Sequence, residues 1–257
     1  MEESVIGLYE PINQLKAFAE NIWIVDGGLI YMSAYGTKVP FSTRMLVIRL
    51  EEETSDSRKK LFLWSPIEFS EPLANEIASL GEVSYIVSPN KIHYAFIQGW
   101  KKYFPKASTW ASPGVRERAA EQKIEVEFDY DILDTKLPWE EEIETVPFYG
   151  SSFMTEIVFF HKASKTLILA DLIENFEADK VKSDIARTFC RWSCVLEPNG
   201  STPLDLQFTF IWDKEKAKKP LQKILALKPE RLTVAHGKCY EKVSMAYLER
   251  AFAWVYS

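Results

Sequence analysis

Short apolar runs bounded by turn residues fill the first half of the chain and predict β-strands. The clearest runs are NIWIVDG, TRMLVIRL and LFLWSP, at residues 21–27, 43–50 and 61–66. The polar segment at 51–60 separates the second run from the third, and we expect it to form a solvated hairpin loop. Helical spacing follows at 72–81 and 94–105, on either side of the strand-like run VSYIVSP. This order indicates layered α/β packing with part of the sheet parallel.

The second half of the chain has a similar order of strands and helices. The segment TEIVFFHKASKTLILAD predicts a hairpin whose second strand ends in Asp171, and we expect His161, at its turn, to be exposed. The segment RLTVAHG predicts a strand followed by a turn. Helices are predicted at 178–197, 214–229 and 243–256. The two halves predict a single domain, residues 1–257, in which two sheets pack face to face with helices outside.

Composition narrows the classes of function. The chain has 257 residues, of which 47% are hydrophobic and 26% charged, as is ordinary for a soluble protein. A net charge of −6 argues against a nucleic-acid partner, because such binding depends on neutralising phosphates. The absence of a long apolar stretch or a secretory signal, with only three cysteines, predicts a cytoplasmic protein that does not bind a membrane. Nothing in the composition predicts an oligomeric state.

Three side chains that can bind a metal each follow a strand-like run. His93 lies just after VSYIVSPN, Asp171 ends TLILAD, and His236 follows RLTVA. The chain has only three histidines, and two of them lie at the ends of predicted strands. A carboxylate at the end of a buried strand is costly unless it is paired. Imidazole and carboxylate ligands suit zinc, iron or manganese, and these three residues would make an open triad.

The local sequences resemble the metallo-beta-lactamase superfamily and, more narrowly, a domain-of-unknown-function family on that fold. The resemblance rests on PINQLKAFAENIWIVDG, PFSTRMLVIRL, VSPNKIHYAFIQGW, TEIVFFHKASKTLILADLIENF and LTVAHG, which together span nearly the whole chain. It implies a four-layer αββα sandwich. In the superfamily the corresponding aspartate bridges two metal ions and the late histidine binds one of them. The resemblance therefore implies metal-binding roles for Asp171 and His236.

The chain departs from the superfamily at its main signature, His-x-His-x-Asp-His. Here Pro89 and Lys91 stand where the first two histidines would be, His93 stands near the aspartate, and Tyr94 near the last histidine. The segment GSSFMTE replaces a further histidine before the central hairpin. A two-metal centre needs more ligands than remain. The departure from the superfamily signature therefore predicts a site for one metal ion at most.

Two further residues near the lost ligands are candidates. Glu156 lies close to the missing histidine and would serve as a fourth ligand, although a structural role is the alternative. Lys91 would replace one metal charge, either by pairing with Asp171 or by binding an anionic substrate. A surface lysine at a helix start is the alternative for Lys91. If the site is catalytic, we expect Asp171 and Lys91 to take part.

Three functions fit these residues. The first is a hydrolase with a single divalent metal ion, acting on a small-molecule ester, thioester or lactone. The second is a non-catalytic or ligand-binding protein on the same fold, whose metal centre has been lost and which binds no ion. The third is an iron-dependent redox enzyme that uses the same ligands. Metal content separates the second from the others, and metal identity separates the first from the third.

Overall fold

The fold is described from a computed structural model, which covers residues 5–34 and 37–257. Within these residues there are eleven β-strands in two sheets and seven α-helices, with a 3₁₀-helix at Ala253–Val255. The strands are β1 Lys16–Ala19, β2 Ile22–Ala34, β3 Thr37–Glu53, β4 Lys59–Trp64, β5 Glu82–Val87, β6 Ser108–Ala111, β7 Tyr130–Asp131, β8 Ile143–Phe148, β9 Glu156–His161, β10 Thr166–Leu169 and β11 Arg231–Val234. The helices are α1 Glu71–Leu80, α2 Ile97–Tyr103, α3 Val115–Glu121, α4 Asp184–Trp192, α5 Leu204–Phe208, α6 Glu215–Ala226 and α7 Met245–Ala251.

The first sheet holds β1 to β7 in chain order. Strands β1 to β4 pair antiparallel, and β4 to β7 pair parallel. The loop predicted at 51–60 is confirmed in a shorter form, because β3 continues to Glu53 and β4 begins at Lys59. A parallel pair needs a crossover, and α1 provides one between β4 and β5.

The second sheet has the order β11-β10-β9-β8. Strands β10 and β11 are parallel, and the remaining pairs are antiparallel. The predicted central hairpin is β9–β10, with His161 opposite Thr166. The expectation that His161 is exposed was wrong: it is 2% exposed, and its Nδ1 lies 2.8 Å from Ser164 Oγ. Ser164 is itself buried and lies in the turn, so the turn supplies a polar partner for the buried ring.

Alternating side chains build the layers, as the two-residue period of a strand requires. On β3, Leu46 and Ile48 pack against β9 and β10 of the second sheet. Met45 and Val47 point the other way and pack against α1, α2 and α3. Helices α5, α6 and α7 cover the outer face of the second sheet. The predicted four-layer αββα sandwich is confirmed.

The helix predicted at 178–197 is shorter than expected. Before it begins, the chain pairs with the amino-terminal segment, and Lys180 O accepts a 2.7 Å hydrogen bond from Gly7 N. Helix α4 starts only afterwards, where the Ser183 side chain accepts from Ala186 N and caps it. Within the described residues no helix has the length and apolar character that crossing a bilayer requires.

Candidate metal centre

The three predicted ligands meet at one edge of the sandwich. His93 lies in the turn after β5, Asp171 follows β10 and His236 follows β11. Nε2 of His93 is 3.1 Å from Asp171 Oδ2, and Nε2 of His236 is 3.4 Å from Asp171 Oδ1. One ligand atom from each residue lies within 4.8 Å of the others. The first sheet therefore supplies one ligand and the second sheet supplies two.

Asn90 holds the carboxylate of Asp171 in place. Its Nδ2 donates a 2.6 Å hydrogen bond to Asp171 Oδ2, while its Oδ1 accepts from Ile92 N at 3.0 Å. Asn90 is completely buried. Burial alone would raise the pKa of Asp171, but His93 and His236 hold it well below its usual range. Asp171 is therefore an oriented, ionised carboxylate.

The orientation of His236 points to a cation at this centre. Its Nδ1 lies 2.9 Å from Ser42 O, and a carbonyl oxygen can only accept, so the proton is assigned to Nδ1. The Nε2 lone pair of a neutral ring then faces a carboxylate oxygen of Asp171. Two acceptors in this position repel unless a second proton or a metal ion lies between them. The donor set therefore fits a metal ion.

A serine orients the ring of the second histidine, although a hydroxyl can donate or accept and so does not assign the ring proton. Nδ1 of His93 lies 2.8 Å from Ser65 Oγ, which leaves Nε2 directed at Asp171. Ser65 has a φ of 49°, in the left-handed region that non-glycine residues rarely occupy. Such backbone strain is common at functional sites. Partners on the outer nitrogens of ligand histidines are typical of metal centres.

Arg44 supports the loop that carries His236. Its Nη1 donates to Val234 O at 2.7 Å and to Gly237 O at 2.6 Å, on either side of the histidine. Its Nε donates to Asp26 Oδ1 at 2.8 Å, and both partners of this ion pair are buried. The spacing of residues in the sequence left the direction of Arg44 open. In the structure, the ion pair of Arg44 and Asp26 in the first sheet is thus hydrogen-bonded to the loop of the second sheet that carries His236.

Glu156 lies behind Asp171. Its Oε1 accepts from Ala170 N at 2.8 Å, and its Oε2 accepts from Asp171 N at 2.8 Å and Leu172 N at 3.2 Å. Burial and the charge of Asp171 raise the pKa of Glu156 to about 8, against the lowering effect of these donors. Because both oxygens bind the backbone, Glu156 braces the turn that carries Asp171. Its role as a fourth ligand stays a prediction.

Lys91 lies on the other side of its turn. Its Nζ is 4.1 Å from the centroid of the Phe153 ring, in a groove beside Gly114 and Glu117. Among the described residues no hydrogen bond or ion pair joins it to Asp171, and a role for Lys91 in binding an anionic substrate stays a prediction. Asn90 binds the Asp171 carboxylate instead. The spacing of residues in a turn does not fix which side chain points inward.

A cavity of about 220 Å³ opens beside His93 and His236. Apolar side chains form part of its wall, among them Ile30 and Met32 of the long β2–β3 hairpin and Ile92 and Phe96 of the segment before α2. The polar side chains lining it, besides the two histidines, are Tyr31, Thr43, Arg44, Ser65, Tyr94, Arg118 and Gln122. A cavity that combines apolar walls with converging polar groups is typical of a small-molecule site.

Comparison with known proteins assigns the fold. A family profile described as Domain of unknown function (DUF4336) matches residues 20–187. A search of curated proteins gives no match. The crystal structure of DIM-1 metallo-beta-lactamase exposed to ceftazidime is 18% identical, with a TM-score of 0.60 and 99% of each chain covered.

Two further solved structures have the same fold. FIM-1 metallo-beta-lactamase from Pseudomonas aeruginosa, in its mono-zinc form, is 10% identical with a TM-score of 0.55, covering 98% of this chain and 96% of that one. The metal-soaked Flv1 flavodiiron core from Synechocystis sp. PCC6803 is 12% identical with a TM-score of 0.59, covering 98% and 61%. The resemblance inferred from sequence is confirmed, and at these identities it concerns the fold.

Proposed function

This chain belongs to the family described as Domain of unknown function (DUF4336), and we propose that it is a single-metal hydrolase of a small-molecule ester, thioester or lactone. The observation that carries the proposal is the convergence of two imidazole Nε2 atoms on the Asp171 carboxylate. The Nδ1 atoms of both rings are engaged elsewhere. Two histidines and one carboxylate suit zinc, iron or manganese and leave coordination positions open.

One ion is the occupancy that the donor set supports. Within the described residues, His93, Asp171 and His236 form the one cluster of three such ligands. The signature positions that would bind a second ion hold Pro89, whose carbonyl accepts from Ile157 N, and Lys91, which points into the other groove. FIM-1 was crystallised with one zinc ion, so single occupancy of this fold has a precedent.

The chain's own residues set the geometry for hydrolysis. A divalent ion held by the triad would supply Lewis acidity, polarising a carbonyl oxygen and acidifying water. Ser42 O and Ser65 Oγ hold the two imidazoles, and Asn90 holds the carboxylate. The apolar wall of the cavity holds the acyl group beside the triad. The oxygen of water bonds to the acyl carbon, the acyl–oxygen or acyl–sulfur bond breaks, and the leaving group takes up a proton.

The test combines metal analysis with hydrolysis assays. We expect about one ion per chain in protein purified without chelator, by the ligand count above. We also expect cleavage of 4-nitrophenyl butyrate, an acyl thioester or a lactone that chelation removes and metal restores. Asp171→Ala should lose both the metal and the activity, whereas Asp56→Ala, in the exposed β3–β4 loop, should keep both.

The same measurements separate the alternatives. The proposal would be contradicted if the wild-type protein contained no metal. It would also be contradicted if the Asp171→Ala variant had the same metal content as wild type. A coloured, iron-loaded protein that hydrolyses none of these substrates would favour the redox function instead. Two ions per chain would contradict the single-metal assignment and leave hydrolysis standing.

A further inference from the structure

The cavity contains polar groups that the metal centre does not use. Tyr94 lines it and is 6% exposed, yet among the described residues its hydroxyl has no hydrogen-bond partner. The ring of Tyr94 packs among the core side chains between the first sheet and its helices, which accounts for the low exposure of the residue. Its hydroxyl is not among the buried atoms, so its donor is free for a ligand bound in the cavity.

Arg118 lies on the same cavity wall and keeps most of its donors unused. Its Nη1 is 3.3 Å from Glu121 Oε2, on an exposed pair one turn further along α3, and its remaining side-chain donors have no partner among the described residues. Arg44 also lines the cavity, but its donors are used by Asp26, Val234 and Gly237. Arg118 is therefore the lining cation that can bind a ligand.

Tyr94 and Arg118 lie near each other. The charge of Arg118 acts to lower the pKa of Tyr94, although the larger effect of burial raises it. Gln122, one turn after Arg118, adds an amide to the same part of the wall. Guanidinium, phenol and amide donors together match a carboxylate, since arginine binds planar anions through two parallel N–H groups. One cation, which also shares an exposed ion pair with Glu121, fits a single negative charge better than a dianionic phosphate.

We propose that the substrate carries a carboxylate at the far end of a short apolar acyl group, and that Arg118 and Tyr94 bind this carboxylate. This inference rests on the proposed hydrolase function, because it assumes that the reacting carbonyl lies at the metal centre. Apolar residues such as Ile92 and Phe96 line the cavity that also holds the triad histidines, and they provide the contacts for the hydrocarbon. Arg118 is thus a specificity residue that binds substrate away from the reacting atoms.

The first test compares two esters with one leaving group, mono-4-nitrophenyl glutarate and its neutral methyl ester. In the enzyme reaction water cleaves the acyl–oxygen bond of either ester and releases 4-nitrophenol and the acid. The rate without protein is subtracted, because the carboxylate of the charged ester also attacks its own acyl carbon, forms glutaric anhydride and expels 4-nitrophenol. We expect wild type to prefer the charged ester in kcat/KM. Arg118→Gln should reduce that preference about ten- to hundredfold, the usual effect of losing a hydrogen bond to a charged group. Tyr94→Phe, which removes only the hydroxyl, should reduce it about fivefold.

A matched control separates local binding from the general field of the protein. Lys123→Gln changes the net charge by the same amount as Arg118→Gln, two residues after α3, and Lys123 does not line the cavity. We expect this variant to keep the wild-type preference. An equal fall in Lys123→Gln would show that long-range charge causes the preference, and would overturn the assignment to Arg118.

A binding assay tests the inference without catalysis. Glutaramate has one carboxylate and one amide, and glutaramide is its neutral counterpart. We expect calorimetry on the protein as purified to show tighter binding of glutaramate, and Arg118→Gln to remove the difference. If neither ester is cleaved while this difference holds, the hydrolase proposal fails for such esters and the anion site stands. If wild type cleaves both esters equally and binds both amides equally, hydrolysis stands and the anion site is overturned.

Discussion

Asn90 links the two parts of the centre through a single amide. Its Nδ2 binds Asp171 from a turn of the first sheet, and its Oδ1 holds that turn through Ile92 N. Partners of ligand carboxylates typically account for ten- to hundredfold in metal affinity. We expect Asn90→Ala to lower the affinity for zinc about tenfold to a hundredfold in competition with a chromophoric chelator. Asn75→Ala, on the exposed face of α1, should leave the affinity unchanged, and equal effects would contradict the role of Asn90.

His161 allows a prediction on pH that does not involve the metal centre. Burial lowers its pKa below 6.5, and Glu142, Glu20 and Glu51 oppose the shift only in part. As the pH falls through about 6.5, the unfolded chain takes up a proton that the folded chain resists, so the stability must fall. The loss is about 1.4 kcal/mol for each unit that separates the two pKa values.

His161→Asn removes the titration and keeps an acceptor for Ser164. We expect urea unfolding at pH 7.5 and pH 5.5 to show a larger loss of unfolding free energy for wild type than for this variant. A variant that loses as much stability on acidification as wild type would show that His161 is not the group responsible.

The loop after β11 depends on a glycine. Gly237 has a φ of 99°, and a Cβ on it would lie 2.2 Å from the backbone carbon and oxygen of Asn175. Since backbone atoms cannot move aside as a side-chain tip can, we expect Gly237→Ala to displace His236 and to lower both zinc affinity and melting temperature. Gly28→Ala is the matched control, because a Cβ there meets no atom within 4 Å. Tolerance of alanine at position 237 would mean that the loop can move without harm to the site.

The strand ends explain how much of the centre could be predicted. Parallel strands place their carboxyl ends at one edge of a sheet, so polar residues that follow such strands collect there. The position of His93, Asp171 and His236 after strand-like runs indicated these residues, and the family resemblance added metal-binding roles for Asp171 and His236. Neither signal could identify Ser42, which acts through a backbone carbonyl and has no side-chain signature. Nor could either choose between Asn90 and Lys91, because turn geometry decides which of them faces inward.

Continuous apolar runs were predicted better than segments whose structure depends on tertiary contacts. The central hairpin and the strand before His236 are such runs, and both formed as expected. Strand β7 has two residues, and its pairing with β6 is a tertiary contact that no local pattern encodes. The segment at 178–197 has helical spacing, but its start pairs with the amino-terminal segment and its end pairs with Phe176, so the helix is restricted to the centre. Tertiary contacts thus override local propensity at both ends of this segment.

At the scale of the whole molecule, the candidate metal lies between the two sheets. His93 comes from the first sheet, and Asp171 and His236 come from the second. Below them the sheets are joined by apolar side chains such as Phe62 and Phe159, whose rings are 5.6 Å apart. A bound ion would add a polar link between the sheets at the edge where this apolar layer ends. Binding to the folded state alone then stabilises the whole fold by mass action.

We therefore expect zinc to raise the melting temperature of wild type, with a gain of about 2.7 kcal/mol when free zinc is a hundred times its dissociation constant. His93→Ala removes the ligand that the first sheet contributes, so it should reduce this gain strongly. His161→Asn removes a buried histidine at the opposite end of β9 and should keep the gain, which controls for the loss of a histidine outside the centre. An undiminished shift in His93→Ala would show that the ion binds the second sheet alone, and the centre would then not link the two sheets.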